Sequence, residues 1–160
     1  MRRKVLALAL ALTLVTAFGA SACSAAIGGE FAFSGLGNGV PGSAAFITFR
    51  LPKLPAVFGI GGTIATSGGQ SSLGLMADWW LAQGKLVRFV DYYVGPGLFA
   101  DFASSGTNAG IRIPFGIDGY PIKPLELFLE IAPSFAIIQP NTIGFDWAGI
   151  QTGFGFRFWF

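Results

Sequence analysis

The chain ends on Gln151-Thr152-Gly153-Phe154-Gly155-Phe156-Arg157-Phe158-Trp159-Phe160, in which every second residue of the last seven is phenylalanine. Side chains alternate between the two faces of an extended strand. One face therefore carries the phenylalanines Phe154, Phe156, Phe158 and Phe160. A soluble β-domain would bury this row and expose Arg157, whereas a strand in a membrane barrel turns the row to lipid and the arginine to the interior. The row reaches the last residue, where a soluble chain usually frays, which favours the barrel wall.

The same alternation recurs upstream and predicts eight strands in all. Their approximate bounds are 27–34, 45–51, 56–66, 73–80, 91–102, 111–118, 125–138 and 147–160. Residues 81–90 are interpreted as a turn region, and Pro96 predicts a bulge or bend in the fifth strand. We expect an all-β fold, an eight-stranded antiparallel up-and-down transmembrane β-barrel. An even number of strands places both termini on one side, which in outer-membrane barrels is the periplasmic side.

The first 22 residues have the composition of an export signal. Met1-Arg2-Arg3-Lys4 is basic, residues 5–18 are apolar, and Gly19-Ala20-Ser21-Ala22 supplies small residues in an A-x-A pattern. The apolar run is shorter than the roughly 20 residues that a membrane-spanning helix needs. We therefore expect a helical signal peptide at 1–22 and one barrel domain at 23–160, with an uncleaved signal anchor as the alternative.

Cys23 is the single cysteine, so the chain cannot form an internal disulfide. It follows Ala22 directly, which is the position at which a lipoprotein is processed and lipidated. Lipoprotein signals usually carry leucine or a similar residue three places earlier, where this chain has Ala20. We expect ordinary cleavage after Ala22 or Ala25, with lipidation of Cys23 as the alternative.

The composition agrees with a membrane barrel. Charged residues make up 11% of the 160 residues and hydrophobic residues 52%. This charge content is under half of the roughly 25% usual in soluble domains, which need a charged surface to stay dissolved. Removing the three basic residues of the signal from the ten in the chain leaves seven against eight acidic residues, a net charge of −1. This balance implies no binding surface for nucleic acid.

If the apolar rows face outward, the charged residues of the strands face the lumen. An arginine facing lipid at mid-depth costs about 2–4 kcal/mol, whereas inside a barrel its guanidinium can bridge two carboxylates. The predicted lumen network comprises Glu30, Arg50, Asp78, Arg112, Glu126, Glu130 and Arg157. Because side chains largely fill an eight-stranded barrel, we expect a salt-bridge plug. A polar path or a ligand pocket is the alternative.

Tryptophan and tyrosine residues lie near the predicted strand ends, at Trp79, Trp80, Tyr92, Tyr93, Tyr120, Trp147 and Trp159. These positions predict aromatic girdles at the two membrane interfaces. Stacking on sugars is the alternative.

An enzymatic role has little support in the sequence. The chain has no histidine, which excludes Ser-His-Asp and Cys-His arrangements, and no cluster of histidine and cysteine suggests a metal. Glu126 and Glu130 could form a carboxylate pair, but their parity places them beside arginines and favours salt bridges. A nucleotide-binding glycine loop is followed by a helix, but no helical pattern follows Gly59-Ile60-Gly61-Gly62. We expect no enzymatic activity and no cofactor.

The terminal row resembles the closing strand of bacterial outer-membrane β-barrels, which the barrel-assembly machinery reads. That resemblance implies that Phe154, Phe156, Phe158 and Phe160 form an assembly signal. The predicted barrel as a whole resembles the small outer-membrane barrels of the OmpA-transmembrane, OmpX and OmpW group, which implies a location among outer-membrane lipids. Three stretches are similar to an uncharacterised barrel family common in spirochaetes: Asp91-Tyr92-Tyr93-Val94-Gly95-Pro96-Gly97-Leu98, Gly110-Ile111-Arg112-Ile113-Pro114-Phe115-Gly116 and residues 123–133.

Three functions remain open. The first is a structural or surface-interaction protein of the outer membrane with a plugged lumen, for which a host surface ligand is a candidate partner. The second is an OmpW-like channel for small apolar solutes, with Phe46, Met76 and Phe99 as inward-facing residues that could line a pocket near the outer mouth. The third is a soluble, periplasmic lipid-binding barrel.

Overall fold

The computed structural model describes residues 25–35, 42–51, 53–63 and 71–160. The predicted signal peptide and Cys23 lie outside the described residues. Within that part of the chain, no helix is long and apolar enough to cross a membrane. The described residues form eleven strand segments: β1 Ala26–Gly35, β2 Gly42–Arg50, β3 Ala56–Thr63, β4 Ser72–Trp79, β5 Ala82–Val87, β6 Val90–Val94, β7 Gly97–Ala103, β8 Gly106–Arg112, β9 Phe115–Ile122, β10 Leu125–Gln139 and β11 Thr142–Trp159.

These segments make a closed barrel of eight antiparallel strands. β11 pairs with both β1 and β10, which closes the sheet. Three of the eight strands are interrupted and consist of two segments each, namely β4 with β5, β6 with β7, and β8 with β9. In the last case β8 and β9 pair with successive stretches of the same neighbour, β10. The predicted all-β fold, an eight-stranded antiparallel up-and-down barrel, is therefore confirmed.

Two prolines mark interruptions in neighbouring strands. Proline has no N–H to donate to the sheet, and Pro96 and Pro114 lie in the gaps between β6 and β7 and between β8 and β9. The backbone adapts locally, since Gly95 N donates to the carbonyl of Pro114 at 3.3 Å and Trp79 N donates to that of Pro96 at 2.8 Å. The strand is thus interrupted at Pro96, the position at which a bulge or bend is predicted.

The turn predicted at 81–90 is confined to residues 88–89, and the prediction is wrong for residues 82–87. β5 and β6 form a hairpin there, with its turn at residues 88–89. Asp78 pairs with Gly97, and Ala82 pairs with Val94. Between these two pairs the strand of β4 and β5 advances four residues and the strand of β6 and β7 only three, so a bulge lies between β4 and β5. The sequence gives no signal for this hairpin, because β5 is exposed on both faces and has no apolar alternation.

Two of the connections between strands are also shorter than predicted. The predicted strand bounds imply connections at 103–110 and 139–146, but these connections are tight turns at 104–105 and 140–141, because β7, β8, β10 and β11 continue through polar residues. Both termini of the barrel meet at one end, where Phe160 N donates to Ala25 O at 3.0 Å. We call this end the terminal rim and the other end the opposite rim.

The outer face of the wall is apolar. Phe154, Phe156, Phe158 and Phe160 are all exposed on it, as the alternation predicts. Other strands contribute further exposed residues, among them Phe31, Phe33, Ile47, Phe49, Phe58, Ile60, Leu73, Leu75, Leu98, Phe102, Phe115, Ile117, Leu127, Leu129 and Ile131. Most charged residues of the strands face the other way, whereas Lys85 and Asp146 are exposed.

Candidate functional site

The barrel interior is the candidate site, because it gathers most of the charged residues of the described strands. Parity places one or two charged residues of each contributing strand on the inner face. The structure places all seven residues of the predicted lumen network there: Glu30, Arg50, Asp78, Arg112, Glu126, Glu130 and Arg157. Six of them are buried, and Arg50 is half-buried near the terminal rim.

One ionic cluster is centred on Glu126, and we call it the Glu126 cluster. Arg157 lies directly opposite on β11 and donates from Nη1 to Oε1 of Glu126 at 2.6 Å. The second oxygen, Oε2, accepts from Trp159 Nε1 at 2.7 Å, Arg50 Nη1 at 3.2 Å and Tyr120 Oη at 3.4 Å. With four donors on its two oxygens, this carboxylate is satisfied although it is fully buried.

Arg50 closes the Glu126 cluster toward the terminal rim. Its Nη1 lies 3.6 Å from Oδ2 of Asp118, so the guanidinium is shared between two carboxylates. Its guanidinium carbon lies 4.0 Å from the ring centre of Trp80 and 5.3 Å from that of Trp159, within the range of cation–π attraction. Ion pairing and stacking together hold Arg50 across this end of the lumen.

A second cluster surrounds Arg112, and we call it the Arg112 cluster. Arg112 Nε lies 3.2 Å from Asp78 Oδ1, and Nη2 donates to Glu130 Oε1. Its Nη1 donates to Gln151 Oε1 at 3.1 Å. The hydroxyl of Tyr93 donates to the other Glu130 oxygen at 2.9 Å. One arginine therefore ties side chains from β4, β10 and β11 together inside the barrel.

Gly97 leaves room for this arrangement. A Cβ atom at this position would collide with Asp78 Oδ1 and approach Cγ of Arg112 to 2.9 Å. The absence of a side chain on β7 therefore lets the ion pair lie against the strand backbone.

Glu30 is the member of the predicted network that the structure does not bring into direct contact with a partner. It is buried, and in the described part of the chain it makes no ion pair within 4 Å and no hydrogen bond. Its carboxylate packs against the backbone of Gly153 on β11. Its charge interacts at longer range with Arg112, Arg157 and Glu130, which belong to the two clusters.

Three residues assigned to the aromatic girdles lie inside instead. Trp80 and Tyr93 are buried and stack with their ring centres 3.7 Å apart, against Val57. The indole N–H of Trp159 points inward to Glu126. The girdle prediction is wrong for these three because parity, rather than nearness to a strand end, decides the face. Trp79, Tyr92 and Trp147 are exposed, and Tyr120 is exposed while its hydroxyl is directed to Glu126.

Sequence reasoning missed several members of the two clusters. Asp118 binds Arg50, and Tyr93 binds Glu130. Strict parity would have assigned both residues to the lumen, because each alternates with outward-facing neighbours. Gln151 and Thr48, whose Oγ1 accepts from Arg157 Nε at 3.2 Å, carry no charge, so no signal in the sequence distinguishes them from other inward-facing polar residues.

A recess enters the lumen from each end. The recess at the opposite rim has a volume of about 70 Å³ and includes Phe46, Met76, Phe99 and Asp101, with Arg112 among its lining residues. This volume is that of about two water molecules. The recess at the terminal rim has a volume of about 140 Å³ and includes Lys85, Asp91 and Arg50. Each recess is thus lined by an arginine of a different ionic cluster.

The chain was also compared with known proteins. No family model matches the sequence, and no curated protein matches it. Among solved structures, the crystal structure of Neisserial surface protein A (NspA) has a similar fold, with a TM-score of 0.60 and 15% sequence identity. The similarity covers 88% of this chain and 98% of that chain. At this identity the comparison supports the barrel fold.

Proposed function

We propose that this chain is an integral β-barrel protein of the bacterial outer membrane, with a lumen closed by ion pairs and a structural or surface-interaction role. The observation that carries the proposal is the sidedness of the wall, with large apolar residues outside and paired charges inside. Membrane barrels have this arrangement. The fold similarity to a protein named as a neisserial surface protein supports the same location.

The outer face supports membrane insertion on energetic grounds. A soluble monomer rarely exposes a continuous apolar patch larger than a few hundred Å², and here exposed residues such as Phe31, Leu75 and Leu129 come from strands around the wall. A soluble, periplasmic lipid-binding barrel would need the reverse arrangement, a polar exterior and an apolar interior. Buried Glu126 and Arg157 do not fit such an interior. The membrane proposal is therefore favoured.

The two ionic clusters support a closed lumen. A guanidinium shared between carboxylates fixes side chains from several strands, and Trp80 and Tyr93 fill further space. The OmpW-like channel for small apolar solutes retains one supporting observation, since Phe46, Met76 and Phe99 line the recess at the opposite rim. Arg112 also lines this recess and is held by Asp78 and Glu130, which favours the plug.

The proposal includes no catalytic role. Glu126 and Glu130, the one candidate carboxylate pair, each bind arginine. The proposed partners are outer-membrane lipids, a surface ligand of a host, and the barrel-assembly machinery. The exposed row from Phe154 to Phe160 supports the last of these because it is accessible on the outer face.

Two measurements test the proposal. The purified protein should require detergent, and its folded form should migrate differently from the boiled form in gel electrophoresis. In planar bilayers the wild-type protein should show no steady conductance, and Arg112→Ala and Arg157→Ala report whether loosening either cluster opens a path. Clean solubility without detergent would contradict the membrane location, and steady wild-type conductance would contradict the plug.

A further inference from the structure

The basic residues that follow the predicted signal fall into two groups. Three arginines, Arg50, Arg112 and Arg157, belong to the ionic clusters of the lumen. The other four lie at the terminal rim, at Lys53, Lys85, Arg88 and Lys123. The stretches that join strand ends at the opposite rim have the sequences of residues 36–41, 64–71, 104–105 and 140–141, which contain no lysine or arginine. The outer positive charge is therefore confined to one rim.

Each of these four basic residues is adjacent in sequence to an exposed apolar residue. The pairs are Lys53 with Leu54, Lys85 with Leu86, Arg88 with Phe89, and Lys123 with Ile122. Phe89 at the hairpin turn is 70% exposed. A cation next to an apolar side chain suits a membrane interface, where the charge meets headgroups and the apolar group enters the region below them.

The cations of the terminal rim are available for binding. In the described part of the chain, Lys53, Arg88 and Lys123 make no ion pair within 4 Å. Lys85 lies 3.2 Å from Asp91, but this pair is exposed on the lysine side and such pairs contribute little.

On the basis of the membrane location proposed above, we propose that the terminal rim binds the phosphate groups of anionic phospholipids in the leaflet on that side. Charge complementarity supports this partner, because each lysine or arginine near an anionic membrane surface strengthens attraction about fivefold. The basic–apolar pairs lie in or beside three separate connections, β2–β3, β5–β6 and β9–β10, rather than in one patch. A set spread along a rim matches a planar lipid surface better than a compact protein partner.

The test uses the full chain in phosphatidylcholine vesicles that contain a small fraction of spin-labelled phosphatidylglycerol or spin-labelled phosphatidylcholine. Electron paramagnetic resonance measures how much of each labelled lipid contacts the protein. The variant Lys53→Gln/Arg88→Gln/Lys123→Gln removes the three unpaired cations. The matched control Ser104→Gln/Ser105→Gln/Asn141→Gln changes three exposed, uncharged positions at the opposite rim.

The wild-type protein and the control should prefer phosphatidylglycerol several-fold, and the preference should fall as salt is added because the contacts are screened. The triple variant should lose at least half of this preference. An unchanged preference in the triple variant, or a preference that salt does not weaken, would overturn the proposal. If the variant fails to fold, the salt dependence of the wild-type protein still decides.

If the wild-type protein shows no preference for phosphatidylglycerol, the lipid proposal is also overturned, and an acidic protein becomes the candidate partner of the terminal rim. Heat-modifiable migration of the same samples separates this failure from a failure of the membrane assignment. A barrel that inserts and is heat-modifiable, but has no lipid preference, contradicts only the lipid inference.

Discussion

Arg157 on β11 and Glu126 on β10 lie directly opposite each other, and the guanidinium donates to the carboxylate at 2.6 Å with the side chains 1% and 0% exposed. Two charges buried this deeply depend on each other, because removing one leaves the other without compensation in a medium that solvates it poorly. The stability of the barrel therefore depends on both members of the pair being present.

Arg157→Met and Glu126→Leu should each lower the free energy of unfolding by about 3–5 kcal/mol, because each leaves a buried charge without its main partner. The double variant should lose less than the sum of the two single variants. Urea titration of the protein in detergent micelles measures all four states of this cycle. Strictly additive losses would show that the two side chains do not stabilise each other.

Glu30 should behave in the opposite way from Glu126. Glu30→Gln should leave the stability unchanged or raise it, because this buried carboxylate has no ion pair within 4 Å among the described residues and lies near the charge of Glu130. Glu126→Gln should lower stability by about 2 kcal/mol or more, since hydrogen bonds to a charged group are lost. The same urea titration compares the two, and an equal loss in both variants would contradict the different roles assigned to them.

Gly97→Ala should destabilise the barrel by about 1–3 kcal/mol, the usual cost of overpacking. The added methyl group would displace the carboxylate of Asp78 from Arg112. Gly144→Ala is the matched control, because a Cβ atom there meets its nearest neighbours at an ordinary 3.9 Å. The chemical denaturation midpoints of the two variants test this, and equal midpoints would mean that the Asp78–Arg112 pair can move aside.

Substitutions on the outer face should depend on depth. Ile131→Arg, near the middle of β10, should cost about 2–4 kcal/mol in lipid vesicles, whereas Ile143→Arg, at the start of β11 near the opposite rim, should cost about 0–1 kcal/mol. Both residues are exposed in the structure, so a soluble barrel would tolerate both arginines. Reversible folding into vesicles measures the difference, and equally small costs would argue against a surrounding bilayer.

Much of this barrel could be predicted because alternation is a local property of each strand. The faces of Phe154, Arg157 and Glu126 follow from position along the strand and do not depend on which strands are neighbours. The partners of a charged residue do depend on the stagger between strands. Arg112 lies opposite Ser134 on β10, yet it binds Glu130 four residues away on that strand. Parity cannot reveal such a pairing.

The errors have similarly local causes. β5 has no alternation to detect, because among the described strands it pairs only with β6 and is exposed on both faces. Trp80 and Tyr93 were assigned by their nearness to strand ends, although the space between Val57 and Arg50 accommodates two stacked rings inside the barrel. Both rings pack at inward positions of the barrel, whereas tryptophan and tyrosine residues near strand ends generally lie at the membrane interface.

The central claim is that apolar side chains of the wall face lipid while their sequence neighbours face a closed interior. The consecutive residues Trp79 and Trp80 allow a direct test, because their side chains lie on opposite faces of the wall. Trp79 is 42% exposed on the outer face and Trp80 is 3% exposed inside the barrel. Two single-tryptophan proteins, one retaining Trp79 and one retaining Trp80, are reconstituted into vesicles with brominated lipids, which quench indole fluorescence on contact. Strong quenching of Trp79 with little quenching of Trp80 is the predicted result, whereas equal quenching, or stronger quenching of Trp80, would contradict the account.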